Sequence, residues 1–487
     1  MVVSSISSPL RLRLIIGSCI LFLLILVALP SSGRSPPVSP ARSRYFQSMA
    51  AVPSDYTRDQ GETPFCASLY GIKYLEDLRD SAFVQSTPES QSTLITFCNS
   101  TAKDQIDSMF IAKDVKYRSD IKKFALSGQF RDLGWTERRV QLRPRPDDFA
   151  RYMYDTGPGP VFKQAILMDR DLSLESEELE SPKSFTILVK REGEGNIWHC
   201  LMEIMSLTMT IDVLKMTIDP ETKKPFLSDE DAENTQVVIL DDKDEGPFFS
   251  MWQMFARKPV LRLGEIENRS GLTNVIVPLA GGGNPFWSGT WKVHPCGRSD
   301  LIRVFAQRVY EHFGINYQKE REGEVVVTFI DRAQTRKLVD QDAILEALKL
   351  QNLKIDLRAV DLASLSFPEQ IKAIRETDVL VGVHGAGMTH AMFLKEGSAV
   401  VEILPAEVFH KGFRNLAVMM GHTYLSMHAK ENIKDDDDVF RDWHGDNMRI
   451  DQAKFLETVS IAVKTMYNKG WRSWDAVGPL DGGAGDG

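Results

Sequence analysis

Residues 325–404 alternate short apolar runs with longer amphipathic segments, and few folds accept that rhythm. The runs Val325–Ile330, Ile355–Val360, Val379–Val383 and Ala399–Leu404 are rich in valine, isoleucine and leucine, as strands covered on both faces must be. Residues 340–350, 368–376 and 388–394 between them carry helical spacing. Strands alternating with helices of this length predict parallel βαβ units and a doubly wound α/β sheet. Earlier runs at 185–189, 236–240, 260–263 and 274–277, with a helix at 197–214, predict a second such half. A split near residues 291–299 would leave a cleft between the two. A last amphipathic helix is expected over 451–469.

In a doubly wound sheet, ligands bind outside the carboxyl ends of the strands. One such end reads Val-Gly-Val-His-Gly-Ala-Gly-Met-Thr-His from Val381 to His390. Gly385, Ala386 and Gly387 would let backbone N–H groups approach an anion at a helix start, with His384 at the last strand position. A tight turn around a packed histidine has the same composition. His390 stands where the dinucleotide fingerprint wants a small residue, which disfavours a nicotinamide cofactor. After the strand 325–330 come Arg332, Arg336 and Lys337, and arginine offers a diphosphate bidentate geometry. Glu402 lies near the end of the strand that follows the glycine turn.

The first half offers proton-transfer groups. His199 and Glu203 are four apart after Gly193 and Gly195, so one helix face would carry both. Glu203 could orient the imidazole or act as a base itself. Asp242 and Asp244 follow the run 236–240 and could hold a divalent metal, although a solvated acidic turn fits them better. Residues 435–438 are four consecutive aspartates, read as solvated. No Gly-x-Ser-x-Gly elbow and no Cys-x-x-Cys occurs in the chain, which removes the common serine hydrolase and the structural zinc site.

Composition bounds the setting. At 487 residues, with 43% hydrophobic content and a net charge of -9, the chain is an ordinary multidomain globular protein without a nucleic-acid surface. Residues 14–29 are an uncharged apolar run behind Arg11 and Arg13. They are read as a signal-anchor transmembrane helix, with a cleaved signal peptide as the alternative. The expected order is a cytoplasmic tail over 1–13, the anchor over 14–29 and a Ser/Pro-rich stem over 30–61. An acceptor-side domain (62–295), a donor domain (296–450), a closing helix (451–470) and a tail (471–487) follow. Sequons at Asn99 and Asn268 are expected to be glycosylated. Cys66, Cys98, Cys200 and Cys296 could form two disulfides in an oxidising lumen; Cys66–Cys98 is favoured on proximity in sequence.

With these residues in hand, the chain resembles glycosyltransferase family 61. The elements that carry the resemblance are Asn196, His199 and Glu203; Glu245-Gly246-Pro247; the run 274–278; Asp331-Arg332 with Arg336; His384-Gly385-Ala386-Gly387; the run 397–403 with Glu402; and Phe413-Arg414-Asn415-Leu416-Ala417 with Gly421-His422-Thr423-Tyr424. The resemblance implies a GT-B-like architecture of two Rossmann-like, doubly wound halves with a nucleotide sugar in the cleft. It implies an inverting transfer from a UDP-sugar, GlcNAc first and xylose or another pentose next, to a protein or polysaccharide acceptor. Arg332, Arg336 and the His384–Gly387 turn would hold the diphosphate, and Glu402 would meet the ribose or uracil. His199, Glu203 or Asp242 would be the base. No cofactor is required, with manganese at most a stimulant. The setting implied is the Golgi membrane in single-pass type II orientation, with the endoplasmic reticulum as the alternative. The rival of another class is a luminal nucleotide-sugar or glycan-binding protein that kept the fold and lost turnover.

Overall fold

Two sheets with parallel cores organise the chain. The computed structural model describes residues 50–57 and 62–467, apart from 103–104, 140–141, 153–154, 181–182, 267–270, 289–290, 319–322, 333–334, 352 and 435–443. The apolar run 14–29, the sequon at Asn268, the aspartates 435–438 and the tail 471–487 lie outside those residues.

The first sheet comprises β1 (Phe83–Val84), β2 (Thr93–Ala102), β3 (Gln105–Arg118), β4 (Lys123–Ser127), β5 (Ile166–Asp169), β6 (Ser184–Val189), β7 (Gln236–Ile239), β8 (Leu261–Arg262) and β9 (Leu272–Val277). Its order is β1-β2-β3-β9-β6-β7-β8, with β4 and β5 branching from β3. Strands β9, β6, β7 and β8 run parallel, whereas β3 joins β9 antiparallel and β2 joins β3 likewise. This half is therefore a mixed sheet, not a second plain doubly wound one. Its antiparallel hairpin comes from residues 83–127, where no strand was expected from the sequence.

The second sheet is entirely parallel: β10 (Val325–Ile330), β11 (Ile355–Val360), β12 (Val379–Val383), β13 (Ala399–Leu404) and β14 (Thr423–His428), in the order β11-β10-β12-β13-β14. The four runs expected there form as read, and β14 is an addition. Helices α1 (Pro64–Tyr70), α2 (Ile72–Asp80), α3 (Ile197–Met216), α4 (Asp300–His312), α5 (Gln341–Lys349), α6 (Phe367–Arg375), α7 (Gly412–Met419) and α8 (Gln452–Tyr467) complete the elements needed below. The segment expected as an α-helix over 388–394 is instead a 3-10 helix, Ala386–Phe393. Its tighter winding starts directly from Gly385 and seats Met388 against β12.

Helix α3 is apolar on every side, and 18 of its 20 residues are buried. It is long and apolar enough to cross a membrane, yet it lies inside the protein, which is how an all-round apolar helix behaves in a large core. One hydrophobic cluster runs from Tyr74 and Leu75 through α3 to Leu380, Met388 and Phe413, so the two sheets share a core. Trp198 and Phe413 meet across it edge to face, 5.7 Å apart. The folded body also begins before Glu62. Tyr56, assigned to the stem by composition, is buried, and its hydroxyl donates to Asp212 at 2.7 Å, while Asp55 pairs with Arg308.

Cys66 is joined to Cys296, not to Cys98, which corrects the pairing favoured on proximity. Cys66 sits on α1, and Cys296 lies in the segment that joins the two sheets. The bond thus closes a loop of 230 residues. Cys98 and Cys200 are free and buried, and burial pushes both thiols up to about 12, which makes them unreactive. Replacing Cys66 and Cys296 by serine is expected to cost about 2–5 kcal/mol of stability, read as a fall in Tm under non-reducing conditions. An unchanged Tm would contradict the bond.

Candidate active site

The winding of the second sheet reverses between β10 and β12, since β11 lies to one side of β10 and β12 to the other. A doubly wound sheet opens a crevice at such a switch point. Here the crevice has a volume of about 410 Å³. Asp331, Arg332 and Thr335 line it from the β10 end, Ala386, Gly387 and His390 from the β12 end, and Gly195, Ile197, Pro247 and Phe248 from the first half. The structure brings the two predicted donor-side motifs together.

Their junction is Gly385, with φ +149°, a conformation that side chains rarely adopt. A methyl group there would lie 2.7 Å from Nη1 of Arg336 and 2.8 Å from Nη1 of Arg332. Both guanidinium groups therefore sit against the turn. Arg336 donates to the His384 carbonyl at 3.0 Å and is itself left-handed, at φ +55°, a strain that needs surrounding structure to hold it. Arg332 donates to the Thr335 carbonyl at 2.9 Å, with no carboxylate ion-pair partner among the described residues. Burial holds it below the usual arginine range. A half-buried cation without an acid is the electrostatic mark of an anion seat.

His384 continues the ladder beyond β12 by donating its N–H to Ile403 at 2.8 Å. Gly382 pairs with Glu402 in register, so His384 and Glu402 share a face of the sheet. Glu402 accepts from Nδ1 of His384 at 2.5 Å and from the Tyr424 hydroxyl at 2.6 Å. It is 1% exposed. Burial and the neighbouring Glu402 raise the Tyr424 phenol, which stays a donor. With both oxygens engaged below the surface, Glu402 touches His384 rather than the open crevice.

The first-half candidates separate. Asn196 caps α3 by accepting from the N–H groups of Trp198 and His199. The first turn of a helix aims its side chains back toward the N-terminus, so His199 reaches the preceding loop. Its Nδ1 lies 2.6 Å from Oε1 of Glu192, and its ring packs on Trp287 at 4.3 Å. Glu203, one turn deeper, does not pair with His199. It lies beneath Gly281 and accepts the Glu192 N–H at 2.7 Å. Desolvation raises its carboxyl well above the usual range, helped by Glu192 and Asp241. Asp242 is exposed on its loop, while Asp241 is buried against Arg191. Among the described residues no three His, Cys, Asp or Glu side chains converge as a metal ligand set.

Sequence reasoning missed Glu192, Trp287 and His410, and gave Tyr424 no role beyond the resemblance. Glu192 had a signal, as an acid at a strand end just before a glycine-flanked helix cap. Asn99, the described sequon, lies half-buried in β2.

Fold and crevice define a class: an α/β protein with a cation-lined crevice at the switch point of a parallel sheet. Residues 197–401 match the family model Glycosyltransferase 61, and the chain carries a glycosyltransferase 61 region. It is similar to the EGF domain-specific O-linked N-acetylglucosamine transferase of Drosophila melanogaster, 26% identical over 298 residues, 58% of this chain and 54% of that protein. The Mus musculus protein of the same name is 29% identical over 252 residues, 50% of this chain and 44% of its own length. The chain thus spans about half the length of the curated relatives it matches.

Glu203 offers a pH test. A carboxyl raised by burial keeps its proton in the folded state up to a higher pH than in the unfolded state. Wild-type stability from this group is therefore complete below the usual carboxylate range and declines as pH rises from there through the raised folded value. Glu203→Gln should match wild type in Tm near pH 4 and gain on it progressively toward pH 8. A constant difference across that range would contradict a neutral Glu203.

Proposed function

We propose that this protein is an inverting glycosyltransferase that moves a sugar from a UDP-sugar to a glycan or glycoprotein in the secretory pathway. The observation that carries the reading is the convergence of Arg332 and Arg336 on the Gly385 turn, at the switch point of a parallel sheet. The two sheets with the crevice beside them support a GT-B arrangement, with 296–450 as the donor side and 62–295 as the acceptor side. GlcNAc is the first donor sugar to try, on the printed names of the relatives, and xylose the next.

In this reading the diphosphate rests on Arg332, Arg336 and the amides of the Ala386–Gly387 turn. These groups stabilise the charge that develops on the departing UDP and need no metal. Glu402 and Tyr424 fix His384 behind the turn, which makes Glu402 a positioning residue in place of a ribose or uracil contact. His199 is the base. The Glu192 carboxylate beside Nδ1 stabilises the imidazolium, and Nε2 takes the proton of the acceptor hydroxyl as that oxygen bonds to the anomeric carbon and the bond to the diphosphate breaks. Glu203 holds the Glu192 backbone in place.

The apolar run 14–29, the sequons and the Cys66–Cys296 bond support a lumenal body on an N-terminal anchor, in the Golgi membrane.

A UDP-release assay over a panel of UDP-sugars tests the reading. Arg332→Ala should lower turnover about a hundredfold or more and weaken UDP binding. His199→Ala should lose comparable turnover while binding UDP as wild type does. Unaltered turnover in Arg332→Ala would remove the donor site from this crevice. UDP binding without turnover of any donor would favour the binding-protein reading.

A further inference from the structure

The segment that links the two sheets carries Trp287 and Trp291, and each indole touches a histidine of a different half. Trp287 packs on His199 at 4.3 Å. Trp291 stands edge-on to His410 at 5.0 Å, and His410 lies 4.9 Å from His384. Asn415 on α7 fixes the segment by donating to the Lys292 carbonyl at 2.7 Å and accepting the His294 N–H at 3.1 Å. Trp291 is nevertheless 62% exposed. A second exposed ring, Phe409 at 61%, precedes His410 and packs on His428 at 5.0 Å. The loop that carries Phe409 and His410 leaves the carboxyl end of β13, the rim on which the glycine turn also lies.

Isolated exposed apolar side chains are ordinary. Two large ones flanking a histidine that contacts His384 are not scattered, and an exposed aromatic group beside a crevice marks a binding surface. His410 itself, where this rim meets His384, is a neutral donor. His410 accepts the Gly412 N–H on Nδ1, so the proton is on Nε2. Burial and then the neighbouring His384 hold the imidazole down at about 4, so it stays neutral at lumenal pH. Flat rings with a neutral N–H donor suit the apolar face and hydroxyls of a sugar ring better than an acidic or apolar peptide.

We propose that Trp291, Phe409 and His410 form an acceptor subsite that takes a neutral sugar ring, so that the acceptor is a glycan and not a bare peptide. This rests on the transferase reading above. The subsite lies beside the His384 turn, where an acceptor sugar would approach the donor.

The test is isothermal titration of the purified protein with xylohexaose, mannohexaose, chitohexaose and a sugar-free Ser/Thr peptide, with UDP titrated separately. We expect at least one oligosaccharide to bind, Trp291→Ala and Phe409→Ala each to weaken it tenfold or more, and UDP affinity to stay unchanged in both. Trp135, also exposed at 68%, is the control, and Trp135→Ala should leave both affinities alone. Absence of oligosaccharide binding, binding indifferent to both rim variants, or Trp291-dependent binding of the peptide alone would overturn the subsite. Failure of the donor reading would show differently, as loss of UDP binding with oligosaccharide binding intact.

Discussion

The reversal of winding between β10 and β12 is the constraint on which the rest of the site depends. Parallel strands laid to both sides of β10 leave the loops after β10 and β12 without a crossover between them, and the crevice opens there. The loop after β10 holds two arginines, and the loop after β12 holds a glycine at positive φ. Only that pairing lets both guanidinium groups close on the turn, because any side chain at Gly385 would meet them. Behind the turn, the parallel register sets Glu402 on the face of His384, and Tyr424 on the next strand occupies its second oxygen. The chain of contacts runs from sheet topology to a fixed imidazole.

The first half reaches the same crevice through α3. Its apolar surface is buried on all sides, so its position follows from the common core, and its capped N-terminus carries His199 with it. The Trp198–Phe413 contact ties that first turn to α7, and Phe413 also packs near His384, with ring centroids 5.4 Å apart. The two histidines that matter most are thus linked through apolar packing and not through a direct bond. A change in either half should be felt in the other as a shift of geometry.

Much of this was legible in sequence where one periodicity ruled. The second sheet was readable because each parallel strand is covered on both faces and therefore reads as an apolar run. The antiparallel hairpin of β2 and β3 was not, because residues 93–118 mix Lys, Asp, Thr and Ser with apolar residues, and polar side chains buried there, such as Thr96, Asp107 and Ser108, break the apolar pattern. The meeting of Arg332 and Arg336 with the Gly385 turn was legible because residues at the carboxyl ends of neighbouring parallel strands share one rim wherever the loops fall. The partner of His199 was misjudged because helix spacing pointed to Glu203, while the capped first turn sends the imidazole back to Glu192. The disulfide escaped because proximity along the chain says nothing about a bond that spans 230 residues.

The central claim is that a nucleotide diphosphate rests on Arg332, Arg336 and the Gly385 turn. The direct measurement is a crystal structure of the protein bound to UDP. The account predicts diphosphate oxygens about 3 Å from both guanidinium groups and from the amides of Ala386 and Gly387. UDP bound away from the crevice between β10 and β12, or with its diphosphate at the carboxyl ends of β6 and β7, would contradict it.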